Sequence, residues 1–186
     1  DDLFIVGEWD VLPRLAEVIH DLLESYTGGQ LTISAGIEIV PSRFPFYVVA
    51  ELAKAALDDR AKESRDGKNA ICMFGEVFNW EAVGDWHILR DWKDWMVKRN
   101  DQSIIRNVLN IYEQWLKDCK RFGDDKLRFG PFVWRACYQL TRTVSDKADR
   151  DALIKLVTEI PRIAGVAARW AELERRTHHD REAQGG

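Results

Sequence analysis

The feature that most constrains this fold is a change of hydrophobic period near residue 80. Before it, short apolar runs and period-two stretches alternate with helical stripes; after it, only the helical period remains. Such a chain builds a small sheet covered by helices in its first half and a helix bundle in its second. In the first half, LFIVG (3–7) is a nearly continuous apolar run, the pattern of a strand covered on both faces. Val11, Leu12, Leu15, Val18, Ile19, Leu22, Leu23 and Tyr26 follow at helical spacing, with Glu17, Asp21 and Glu24 opposite them. Gly28-Gly29 closes that helix, because glycine accepts a left-handed backbone at a helix C-terminus. LTISAGIEIV then puts Leu31, Ile33, Ala35, Ile37 and Ile39 on one face of a strand. A second helix is expected from about Phe46 to Ser64, closed by an Asp66-Gly67 turn, and AICMFG (70–75) reads as a third strand.

From Trp80 onward the strand signals stop. Ile88, Leu89, Trp92, Trp95 and Met96 mark one helix; Ile104, Ile105, Val108, Leu109, Tyr112, Trp115, Leu116 and Cys119 mark another, capped by Asp101 or Ser103. Pro131 suits a helix's first turn, ahead of a stripe of Phe132, Val133, Ala136, Cys137 and Leu140. The helical region from about Asp146 to Arg176 must kink or break at Pro161, whose ring removes a backbone donor. The expected division is an α+β unit over 1–76, a helical bundle over 77–176 and a disordered polar tail over 177–186.

Composition narrows the function classes. A chain of 186 residues can bury one substantial core or two small ones. No apolar run nears the roughly 20 residues that cross a bilayer, and the first residues lack the basic and apolar regions of a secretory signal, so a cytoplasmic setting is expected, with no membrane partner. Cys72, Cys119 and Cys137 are odd in number and sit within apolar patterns, which argues for reduced core residues. The net charge of −4 divides into −7 over residues 1–76 and +3 over 77–186. Neither half is basic enough to bind nucleic acid by charge alone.

The chain opens with two carboxylates, Asp1 and Asp2, running directly into an apolar strand pattern. Adjacent acids on a hairpin turn can face one site, an arrangement that suits a hard cation bridging to phosphate oxygens; two solvated charges are the plainer alternative. The segment AELAKAALDDRAKESRDGKN (50–69) supplies context. With DDLFIVG and TISAGIEIV it resembles the second half of a ferredoxin-like palm of the nucleotidyl-cyclase type, shared by GGDEF domains and by the large subunit of type III CRISPR effector complexes. The matching residues are Ala50, Ala56, Leu57, Ala61, Lys62, Gly67, Lys68 and Asn69. An Asp-Asp pair entering LFIVG is more similar to the GGDD form of the CRISPR large subunit than to GGDEF, and an α-helical domain after the second palm fits VFNWEAVGDW and PFVWRACYQLTR.

The resemblance implies a nucleotidyltransferase that joins ATP into cyclic oligoadenylates when target RNA is bound. It casts Asp1 and Asp2 as catalytic, metal-binding carboxylates for Mg²⁺ or Mn²⁺, and Lys62 as the nucleotide-binding lysine of the palm helix, with a solvated helix lysine the plainer alternative. Ser34, on the less apolar face of its strand and followed by Ala35-Gly36, is a nucleotide-binding candidate because small residues permit close approach. It implies partners in an RNA-guided complex: a small helical subunit, backbone subunits and, indirectly, guide and target RNA. The two glycines of the motif and the palm's first strand do not precede Asp1, so the 186 residues alone are expected to be inactive. A non-catalytic scaffold around CRISPR RNA, or a GGDEF-type cyclase using GTP, are the alternatives.

Other signals are weaker. His20-Asp21 spells a metal-phosphohydrolase pair, but such centres need ligands from further helices, and His178-His179-Asp180 lies in the expected tail. Most of the eight tryptophans fall on helical stripes and read as bundle core, with some rings left for a partner. Lys120, Arg121, Lys126, Arg128 and Arg135 surround the FGDDKLRFG loop, either as contacts to RNA strands or as an ordinary solvated face.

Overall fold

The computed structural model describes residues 3–41, 43–63, 68–80, 85–123 and 127–184, with side chains described as far as 177. It divides into two compact units, Asp1–His87 and Ile88–Gly186. The division falls inside a helix rather than at residue 76.

In the first unit, helix α1 (Leu12–Thr27) starts with Pro13 in its first turn and stops at Gly28, whose φ of 61° is the left-handed cap that the Gly-Gly pair suggests. Strand β1 (Ala35–Ile37) pairs in parallel with β2 (Ala70–Met73), which pairs antiparallel with β3 (Glu76–Asn79), giving the order β1-β2-β3 among the described residues. Between β1 and β2 the chain crosses over through α2 (Phe46–Ala55), which continues as a π-helical turn, Ala56–Ala61. All four residues of β2 are buried, as befits a central strand.

Helix and strand meet at Gly36. A Cβ built there would lie 2.5 Å from the Leu57 amide nitrogen and 2.8 Å from the Ala53 carbonyl oxygen, so only glycine lets this backbone touch the helix. Ala56, Ala61 and Cys72 form the buried contact beside it, flanked by Leu57 and Val77.

Three expectations change here. LFIVG forms no strand: Leu3 is 68% and Val6 66% exposed, because no strand among the described residues pairs with this segment. The expected ten-residue strand at 31–40 shrinks to Ala35–Ile37, since its one partner is the four-residue β2. Strand β3, absent from the sequence reading, follows a two-residue turn at Phe74 (φ 53°) and Gly75 (φ 80°), the left-handed pair that matches hairpin twist.

The second unit holds most of α3 (Asp85–Arg99), then α4 (Gln102–Phe122), α5 (Pro131–Thr143), α6 (Lys147–Glu159) and α7 (Pro161–Gln184). Asp101 caps α4 by accepting from the Ser103 amide at 2.8 Å. The predicted stripes are buried at Ile104, Ile105, Val108, Tyr112 and Trp115 on α4, and at Phe132, Ala136 and Leu140 on α5. Pro161 breaks the long helical region into α6 and α7 and occupies the first position of α7. Helix α7 runs on to Gln184 through most of the stretch read as a disordered tail, continuing the helical backbone begun at Pro161. Small residues let α4 and α7 close up: a Cβ on Gly165 would fall 2.2 Å from the Tyr112 ring.

Candidate functional site

Asp1 and Asp2 lie outside the described residues. The other two candidate residues sit on the first unit's packed elements. Lys62 follows the π-helical turn, its amide donating to the Leu57 carbonyl five residues back. Such a turn inserts one residue into the helical ladder and shifts the side chains after it, a distortion common at functional sites. The Lys62 ammonium donates to Asp58 Oδ1 at 2.7 Å, and this hydrogen bond holds the Asp58 carboxyl below its ordinary value. Ser34 stands one residue before β1 and donates its hydroxyl to the Lys68 carbonyl, tying the strand's start to the segment before β2. The space that Gly36 leaves open is filled by the helix backbone.

A cluster that the sequence reading missed braces these elements. Arg60, in the π-helical turn, acts electrostatically on the Cys72 thiol of β2 and on the Glu38 carboxyl just past β1. Burial raises the Cys72 thiol, with Arg60 opposing it, and burial likewise raises Glu38 against the pull of the same guanidinium. The helical spacing of Ala56, Arg60 and Ala61 hints at a face turned to the sheet; the π-turn leaves no such trace in residue types.

His20 is buried and stacks on Trp80 with ring centroids 4.8 Å apart, its Nδ1 3.2 Å from Asp21 Oδ1. Ligand atoms of His20, Asp21 and Glu24 lie within 4.8 Å of one another, but all three come from adjacent turns of α1, and the two carboxylates are exposed. No histidine from a second helix joins them among the described residues. The pair therefore lacks the ligand set of a phosphohydrolase centre.

Comparison with known proteins places this unit. The family model for the second palm domain of Cas10/Cmr2 matches residues 1–72. The match covers the first unit's strand-and-helix part, and the relatives below are type III CRISPR large subunits to which that part is similar. Among curated relatives, the single-strand-specific deoxyribonuclease Cas10/Csm1 (subtype III-A) of Mycobacterium tuberculosis is 36% identical over 85 residues, covering 45% of this chain and 10% of the relative. The Cas10/Csm1 of Thermococcus onnurineus is 39% identical over 75 residues, 40% of this chain and 9% of the relative. That of Enterococcus italicus is 34% identical over 83 residues, 45% of this chain and 11% of the relative. The matched part thus spans about a tenth of the relatives' length. No solved structure matches the chain.

Proposed function

We propose that this chain contributes the second half of a ferredoxin-like palm, and the helical domain after it, to a large subunit that makes cyclic oligoadenylates from ATP when its guide holds target RNA. The observation that carries the reading is the extent of the family match: it begins at the acidic pair and runs through the Ser34 strand and the Lys62 helix. In this reaction a ribose 3′-oxygen attacks the α-phosphorus of a second ATP, the bond to pyrophosphate breaks, and the hydroxyl proton is released. Alignment of the two nucleotides lowers the barrier by making the attack effectively intramolecular. Asp1 and Asp2 would hold Mg²⁺ or Mn²⁺, whose oxygen preference suits two carboxylates and whose charge steadies the phosphoryl oxygens.

Lys62 would exchange Asp58 for the triphosphate, a change within reach of a half-exposed, flexible ammonium. Ser34, by fixing the segment at Lys68, shapes the floor beside the strand. The deoxyribonuclease activity named for the relatives is assigned to none of these residues, because the His20-Asp21 pair lacks a ligand set. The small helical subunit, the backbone subunits and the RNA strands are the proposed partners, and the setting is cytoplasmic. Among the described residues no helix is long and apolar enough to cross a membrane.

The test supplies the full-length subunit in its guide complex with ATP, divalent metal and target RNA. Cyclic oligoadenylate is expected, with GTP a poor substitute and product lost on Asp1→Ala or Asp2→Ala. Unchanged product after both substitutions, or product from the isolated 186 residues, would overturn the reading.

A further inference from the structure

The tryptophan pattern has one outlier. Trp86, Trp115 and Trp170 are buried, whereas Trp134 on α5 is 80% exposed, with Tyr138 one turn further on at 63% and Phe129, just before the helix, at 84%. Arg128, Arg135 and Arg142 are exposed beside them, seven residues apart. The stretch 127–143 contains no carboxylate, in a chain whose net charge is −4. Among the described residues, no carboxylate pairs with these three arginines.

The face is held in place from beneath. Asp118, 3% exposed, accepts from the Phe132 amide in the first turn of α5 at 3.3 Å and from Gln114 Nε2 at 2.9 Å. Gln114 Oε1 in turn accepts from Arg135 Nη1. Arg142 lies over the Tyr138 ring at 5.3 Å and donates to its hydroxyl at 2.5 Å, which fixes the phenol's rotamer. Trp134 and Tyr138 are an i, i+4 pair, so their Cβ atoms stand about 6 Å apart on one helix face. The exposed positions of α5 are Pro131, Trp134, Arg135, Tyr138, Thr141 and Arg142, with no Val, Leu, Ile or Met among them.

We infer that this face binds a single-stranded nucleic acid, with unstacked bases on Trp134 and Tyr138 and backbone phosphates on Arg128, Arg135 and Arg142. Alternating rings and guanidiniums are what such a strand requires: every base has a π-face, and a planar fork matches a phosphate's two oxygens. Choosing nucleic acid over an acidic protein rests on the proposed role in an RNA-guided complex, together with the lack of Val, Leu, Ile and Met at those exposed positions. The strand is RNA or DNA; both carry this chemistry.

The test titrates the 186-residue chain into fluorescein-labelled 12-mers of uridine and of thymidine, reading anisotropy without ATP or metal. Binding is expected at Kd of order 10 μM near 50 mM salt, weakening with added salt at a log–log slope near −2, the value for about three phosphate contacts on a single strand. Trp134→Ala should weaken it about tenfold and Trp134→Phe should restore most of that, while Arg135→Gln and Arg142→Gln each flatten the slope by about 0.7. Whichever strand binds more tightly identifies the source. Circular dichroism of the variants should match the parent, since all three residues are exposed. Absence of binding to both strands, or Trp134→Ala leaving affinity unchanged, would overturn the inference, with the face then left to a protein partner. Neither result touches the palm reading, which is tested by oligoadenylate synthesis.

Discussion

The two units treat their apolar surface differently. In the helical unit, stripes of α4, α5 and α6 become core: Val108, Leu140 and Leu153 have no exposed surface, and Lys93 is seated over Trp170 with its ammonium 3.0 Å from Glu174. Burial alone would lower that lysine, but its hydrogen bonds to Asp94 and Glu174 outweigh it and hold the charge in place. In the palm unit, an equally clear stripe on α1 buries only Pro13 and His20, leaving Val18, Leu22 and Tyr26 exposed, and α2 buries none of its residues. Leu3, Phe4 and Val6 face solvent as well. An amphipathic pattern records which face a segment hides in the assembled protein; it becomes burial only where the covering element is at hand.

The sharpest way to break this contrast is to attack the helical unit at its seams. Gly165→Leu would drive a side chain into the Tyr112 ring and is expected to cost several kcal/mol, more than the ~1–3 kcal/mol of ordinary overpacking, read as a large drop in urea midpoint. Asp118→Ala removes the acceptor for the Phe132 amide and should cost about 2 kcal/mol. In the palm unit, Gly36→Ala should cost a comparable ~1–3 kcal/mol, because the clash is with helix backbone that has little freedom to yield.

A smaller effect tests a single cap. Asp101→Ala should cost about 1 kcal/mol at neutral pH. The hydrogen bond from the Ser103 side chain, helped by those from the Ser103 and Ile104 amides, holds the Asp101 carboxyl below its ordinary 3.8. Its contribution is therefore present above that value and lost as pH falls through the lower folded one, so wild type and variant should converge in acid unfolding curves. The smallest effect belongs to the open face. Val6→Ser and Tyr26→Ser should change stability by less than ~0.5 kcal/mol in the isolated chain; a loss above ~1.5 kcal/mol for either would erase the contrast between the units.

Legibility in the sequence followed the same line. Helix ends at Gly28, Asp101 and Pro161 were readable because each rests on a residue with a local backbone reason. The buried stripes of α4 and α5 were readable from their period. Strand length was not, since a strand extends only as far as its partner, and neither the ladder at Ala35–Ile37 nor the unpaired Leu3–Val6 can be inferred from side-chain alternation. The Phe74-Gly75 turn left a usable trace in its glycine between two apolar runs. The π-turn before Lys62 and the Asp118 cap on α5 left none, as both are made by tertiary packing. Of the candidate site, the residue types were legible through family resemblance, whereas the engagement of Lys62 by Asp58 and of Ser34 by the Lys68 carbonyl needed the fold.

Amide hydrogen exchange compared between the isolated chain and the proposed full-length subunit tests the central claim most directly: that the palm unit is finished by surfaces outside these residues while the helical unit is self-sufficient. Amides of 3–6 and of α1 should exchange at least about tenfold more slowly in the full-length protein, with α4 nearly unchanged. Equal protection of 3–6 and α1 in both proteins would contradict the account.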